Sequence, residues 1–314
     1  MVAKYTTYFE IMNIVIFISW TVTTIFSLTT IIVIISRWRN GCRSVLNLLT
    51  CNSCFGLLFH VASSSIQSPS YTRNIYADQP YVDPTVCRIF GCLGTCSAAV
   101  MAFSFVIQGI SRFFITIPHQ YRFFTTYRFN WILILFNWLA SGVIAGGFFI
   151  SSDAYQFEVE SHICTITVHN FVTAFTFSAI VIIFNFGTLC VIYGVIFYRT
   201  SNHANTSLIS SSRFRYKRNL HVFKRILMFV NIFNFGSLPF LLTLILNYFD
   251  VAPWPLYLLV YSCLICATAT NAVTIFFTND QVKNILLKKW KDYQSNRPTI
   301  FRRFLQNRVV PLSQ

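Results

Sequence analysis

The chain has 314 residues and a formal net charge of +15, yet only 11% of its residues are charged while 55% are hydrophobic and 18% aromatic. A water-soluble domain carries about 25% charged residues, so the composition excludes a pair of soluble domains and points to one membrane-embedded bundle. The basic residues gather on one side of the apolar runs, which sets them against lipid and excludes nucleic acid as their partner.

Residues 1–10 form a short N-terminal segment containing Lys4 and Glu10. The apolar run from Ile11 to Ser36 exceeds the about 7–15 residues of a signal h-region and no small-residue cleavage pattern follows, so the first helix is expected to direct insertion itself. A spanning helix needs about 20 mostly apolar residues. Seven runs meet this, at 11–36, 45–65, 86–116, 129–151, 169–198, 221–248 and 254–277. The second is diluted most, by Asn47, Asn52, His60 and Ser63 to Ser65. The third carries only Arg88 and Arg112, one near each end, where a long side chain can snorkel to the interface.

Between the fifth and sixth runs, Ser201 to Leu220 is polar, Ser-rich and basic, the composition of a flexible loop. After the seventh, Val282, Ile285, Leu286 and Trp290 alternate with Lys283, Lys288, Lys289 and Lys291, which predicts an amphipathic helix over about 279–292 on the membrane surface. The expected organisation is therefore an extracellular segment over 1–10, a seven-helix domain over 11–292 and a basic tail over 293–314. The fold class is all-α, a seven-transmembrane bundle with a short eighth helix. No internal repeat supports an inverted-repeat transporter.

With the N-terminus outside, every one of the 24 basic residues except Lys4, Arg73 and Arg88 falls on the inner side. The positive-inside rule then predicts an extracellular N-terminus and a cytoplasmic C-terminus in the plasma membrane, with the basic face against anionic lipid. Of the nine acidic residues, Glu10, Asp78, Asp83, Asp153, Glu158, Glu160 and Asp250 lie outside. Asn205-Thr206-Ser207 spells a glycosylation acceptor on the inner side, where no glycan is expected.

Enzyme chemistry finds no foothold: no HExxH, Gly-rich phosphate loop, metal-ligand spacing or nucleophile elbow occurs, so neither metal nor cofactor is expected. His60 and His169 lie in or beside different runs and read as polar packing residues. Most of the ten cysteines sit inside apolar runs, where a thiol behaves as a small hydrophobe. Cys87 and Cys164 alone fall near run ends on the same outer face.

Cys87 opens the third span, Arg112 stands 25 positions later near its inner end, and Cys164 lies between spans four and five. This pattern resembles the rhodopsin-like G-protein-coupled receptors. Trp138 in span four, Phe233 six residues before Pro239 in span six, and Asn271 in span seven extend the resemblance over roughly residues 10–292. It implies a Cys87–Cys164 disulfide and gives Arg112 the role of a switch. The flanks are Ser111 and Phe113 where the family has Asp and Tyr, so the aspartate that restrains the arginine is missing. Pro239 removes a backbone hydrogen bond and should kink its helix. The resemblance makes it a hinge that swings the inner end of span six, with Lys224 and Arg225.

Further departures stand at Ser237, in the family's aromatic toggle position, and at Ala272, in place of the proline after Asn271. Span five has no proline, and the sodium-site aspartate has no acidic counterpart, the candidates being Asn52 and Gly56. Asn234 and Asn271 are polar groups on facing helices, and Trp138 is expected to pack or to touch lipid. Amine receptors carry an aspartate where Gly94 stands, and opsins a lysine where Ile265 stands, which disfavours both ligand classes. The outer acids, Glu158 and Glu160 among them, fit a cationic peptide or plain solvated surface charge equally well. The implied function is transduction of an unidentified extracellular ligand to a heterotrimeric G protein. The alternative is a seven-helix ligand-gated channel or carrier, which a conductance independent of G proteins would reveal.

Overall fold

Backbone N–H and C=O groups in hydrocarbon must be satisfied internally, so the apolar runs close into helices. The computed structural model describes residues 6–36, 38, 44–75, 82–116, 122–151, 153–158, 161, 163–206, 228, 232, 235–279, 281–285, 287 and 292. In chain order these form α1 (Thr6–Ser36), α2 (Val45–Ile75), α3 (Pro84–Thr116), a 3-10 turn (Arg122–Thr125) and α4 (Tyr127–Ile150). An antiparallel hairpin, β1 (Tyr155–Glu158) and β2 (Ile163–Ile166), follows, pairing Tyr155 with Ile166 and Phe157 with Cys164. Then come α5 (Phe171–Ser178), a π turn (Ala179–Ile183) and α6 (Phe184–Thr206), which run on as one span. The last are α7 (Phe235–Tyr248) and α8 (Trp254–Thr278), with a further helical stretch at 281–285. Among the described residues six spans are long and apolar enough to cross a membrane and α7 is a shorter apolar helix, giving a seven-helix bundle. The hairpin is the addition to the all-α expectation, and it stands outside the spans.

The helix ends are set by local chemistry. Asp83 accepts the N–H groups of Thr85 and Val86 at 2.8 and 3.2 Å, Thr126 that of Phe129, and Asn170 that of Thr173, each supplying an acceptor to the first turn. Asp250 closes α7 at φ 54°, with its N–H on Asn247 O and the N–H of Val251 on Leu246 O, an ending usually given to glycine. Asn279 ends α8 and its Oδ1 accepts from Gln281 and Val282 N–H, starting the next helical stretch. That junction is held to α2 by Asn47, which hydrogen-bonds Gln281 and Asn279.

α3 lies at the centre, against α2, α4, α6 and both strands, while α1 packs on α2 and α8. Two thirds of the apolar window of α2 (67%) is buried against 22% of that of α4, so α4 offers Leu135, Phe136, Leu139 and Val143 to lipid. The main core joins Cys54 and Leu57 of α2, Ala99, Met101 and Phe105 of α3, Leu189 and Tyr193 of α6, and Ala272 and Ile275 of α8. At the hairpin end a second cluster gathers Tyr155, Ile166, Ala174 and Leu244.

Tyr155 seats the hairpin on the bundle. Its ring lies so close to Gly91 that a Cβ there would stand 2.6 Å from Cδ1, and its hydroxyl donates to Ala145 O at 3.0 Å. Burial pushes the phenol above its usual pKa, so it remains a neutral donor. Gly91→Val is expected to unseat the ring and cost roughly 1–3 kcal/mol by overpacking. Thermal denaturation of the purified protein measures this, and the penalty should shrink when Tyr155→Ala is added.

Candidate functional site

Beneath the hairpin lies a cavity of about 150 Å³, walled by α2, α3, the π turn, α7 and α8 and roofed by β2. Its lining is largely apolar, with Ala98, Val181, Ile182, Phe240 and Leu264 among the walls and His60, Ser64, Gln67, Thr95 and Ser237 as polar points.

The roof is fastened at four places. Cys87 and Cys164 form a disulfide that pins β2 to the first turn of α3. Gln67 Oε1 accepts the Cys164 N–H at 3.0 Å, tying the same strand to α2. Glu158 is buried at 3% exposure; its Oε1 accepts the Val168 N–H at 3.0 Å and its Oε2 lies 3.5 Å from His169 Nε2. The carbonyl of Val168 accepts from Asn247 Nδ2 at 3.0 Å, and Asn247 Oδ1 accepts from the Tyr257 hydroxyl at 2.6 Å. Hydrogen bonds therefore run from the hairpin through α7 to α8. For Glu158 this corrects the reading as solvated surface charge: the carboxylate is a buried tie.

The π turn shapes one wall. A π turn adds a residue within the helix and leaves carbonyls short of partners. Asn185 supplies them, its Nδ2 donating to Ile180 O at 3.2 Å and to Val181 O at 2.7 Å. The widened turn brings two successive residues, Val181 and Ile182, onto the buried, cavity-lining face. A span without proline thus acquires its irregularity from an asparagine.

Across the middle, Trp138 Nε1 donates to Asn52 Oδ1 at 3.0 Å, Asn52 Nδ2 donates to Ser104 Oγ at 3.0 Å, and Asn137 Nδ2 reaches Ser104 Oγ at 3.2 Å. Trp138 is therefore a hydrogen-bonded strut between α4 and α2, beyond the packing or lipid contact expected of it. Asn52 is occupied in this network, Gly56 faces Val100 and Met101 of α3, and no carboxylate lies in the main core among the described residues.

The other residues singled out in the sequence fall in separate places. Ser237 is buried in the cavity wall, with Pro239 two residues on in α7. Ser111 is buried and Phe113 half-buried towards the far end of α3. Arg112 belongs to the same helix, its side chain outside the described residues. Lys224, Arg225, Phe233 and Asn234 also lie outside the described residues. Asn271 is fully buried in α8, and neither atom of its amide has a hydrogen-bond partner among the described residues. Sequence reasoning passed over Gln67, Asn185 and Asn247, and gave His60 only a packing role. The available signal was a polar residue inside an apolar run, which must find a partner but does not say where.

This arrangement is similar to the crystal structure of squid rhodopsin, with a TM-score of 0.77 at 14% identity, over 91% of this chain and 86% of that one. At that identity the likeness defines the fold, a seven-helix membrane bundle. The family model described as 7 transmembrane receptor (rhodopsin family) matches residues 29–277, and the chain belongs to that family and is a multi-pass membrane protein. No match to an individual curated protein accompanies it.

Proposed function

We propose that the protein is a plasma-membrane receptor that transmits occupancy of the hairpin-end cavity to a heterotrimeric G protein at the opposite end of the bundle. The observation that carries this reading is the cavity of about 150 Å³ closed by a disulfide-pinned hairpin, with Ser237 of α7 in its wall. The positive-inside distribution puts the hairpin and N-terminus outside the cell and the basic tail in the cytoplasm. The ligand favours one of two bundle states through its differential affinity for them. Pro239, two residues after Ser237 towards the hairpin end of the same span, is the hinge, and Lys224 and Arg225 ride on the moving end. Arg112, between Ser111 and Phe113, meets the G protein. The amide of Asn271, without a partner among the described residues, supports a switching role, because a buried polar group left unpaired costs about 1–3 kcal/mol and favours any state that supplies a partner.

Nucleotide exchange on a panel of purified G proteins, with the receptor reconstituted in lipid, tests the reading. Wild-type protein should raise exchange above empty membranes, since Ser111 lacks the restraining carboxylate, and Arg112→Ala should return it to that baseline. Folded wild-type protein that stimulates no member of the panel, but carries a conductance, would replace this reading by a channel or carrier.

A further inference from the structure

Gln67 stands on α2 in the lining of the cavity, and its Oε1 accepts the Cys164 N–H of the roof at 3.0 Å. A backbone N–H can only donate, so that contact fixes the amide: the oxygen faces the strand and the nitrogen, with its two hydrogens, faces away from it. Nε2 lies against the Gly94 wall of the same cavity, 3.9 Å from where a Cβ on Gly94 would stand, and no other atom comes within 4 Å of that position. No hydrogen bond engages Nε2 among the described residues, and it keeps exposed surface, which the sealed Nε2 of His60 does not. Ser64, one turn earlier on the same face of α2, also lines the cavity, and no hydrogen bond among the described residues engages its hydroxyl. The wall between α2 and α3 thus offers hydrogen-bond donors beside a residue with no side chain.

The rest of the lining restricts what can accept from them. Ala98, Val181, Ile182, Phe240 and Leu264 make it largely apolar. No lysine or arginine lines the cavity among the described residues, whereas Glu158 does, so a carboxylate or phosphate would enter without a counter-charge. Glu158 is itself engaged in holding the roof through Val168 and His169. A neutral carbonyl oxygen meets these conditions: it has two lone pairs, enough for an N–H of Gln67 and the Ser64 hydroxyl together. The size follows from the volume, since an apolar cavity of about 150 Å³ accepts a benzene-sized molecule.

From this we infer that the cavity takes a small neutral carbonyl compound with an apolar body the size of one ring, whose C=O oxygen accepts from Gln67 Nε2. The inference rests on the cavity being the ligand site, as proposed above, but not on G-protein coupling, and its test uses no G protein.

The probes are cyclohexanone and methylenecyclohexane, which differ only by CH₂ in place of the carbonyl oxygen. Their dissociation constants are measured on the full-length protein in lipid nanodiscs, each corrected for partition into empty nanodiscs. Gln67→Glu keeps an oxygen for the Cys164 N–H and, ionised at pH 8, presents a second acceptor where the donor stood. The preference for cyclohexanone over methylenecyclohexane should be roughly tenfold greater in wild type than in this variant, the worth of one buried hydrogen bond. Methylenecyclohexane should bind both proteins alike. A preference unchanged by Gln67→Glu, or no binding of either probe to wild type, overturns the inference. If the variant binds neither probe, wild type alone decides. The carbonyl stretch of bound ¹³C-labelled cyclohexanone should lie at lower frequency than in lipid, and an unshifted stretch overturns the inference. Tighter binding of cyclohexylammonium than of cyclohexanone would overturn it in favour of a cationic ligand. The expected carbonyl preference without nucleotide exchange would leave the ligand class standing and the coupling refuted.

Discussion

The double substitution Cys87→Ser/Cys164→Ser is expected to lose about 2–5 kcal/mol of stability and most ligand affinity at the hairpin-end cavity. The bridge spans 77 residues of chain, and in the chain-entropy account a closed loop of that length removes much of the freedom of the unfolded state. In the folded state it joins β2 to α3, so its loss leaves the roof to the hydrogen bonds of Gln67, Glu158 and Asn247 and the seated ring of Tyr155. Denaturation in lipid, with and without reductant, measures the first effect. Wild type treated with reductant should approach the double variant, and the double variant should not respond. Equal stability of all four samples would show that the hydrogen-bonded ties suffice.

Gly236→Val is expected to cost roughly 1–3 kcal/mol or more and to change signalling output, because it lies where α7 and α8 touch. A Cβ at Gly236 would meet Ala267 Cβ at 2.5 Å and the Cys263 carbonyl at 3.3 Å, contacts no rotamer can relieve. The helices must separate by backbone movement, one turn from Pro239 and next to Ser237 in the cavity wall. Gly146→Val on α4 is the control, since nothing lies within 4 Å of its Cβ position, and it should leave stability unchanged. Denaturation midpoints of the two variants, set beside their nucleotide exchange, separate a packing loss from a change in the hinge.

Much of the architecture was legible because lipid imposes it. Runs such as Tyr127–Ile150 hold no acidic residue and only Arg128 as a basic one, so a helix across the membrane is the available solution. The Cys87–Cys164 pairing came through the resemblance and is present in the structure. The site was less legible. Asn185 in span five, Asn52 in span two and Glu158 in the second loop each read as a lone polar residue with many possible partners. Glu158 in particular, in a short polar segment, had the sequence context of surface charge.

The sequence by itself determined the membrane class, the number of spans and the family, because hydrophobic length and the spacing of a few residues are linear quantities. Tertiary structure decided everything that depends on which helix faces which. It placed Trp138 on Asn52 and Glu158 under the hairpin, and it opened the π turn that Asn185 supports. The physical reason is that a buried polar group is fixed by partners distant in sequence, as Ser97 is from His60. No periodicity along the chain encodes where those partners meet.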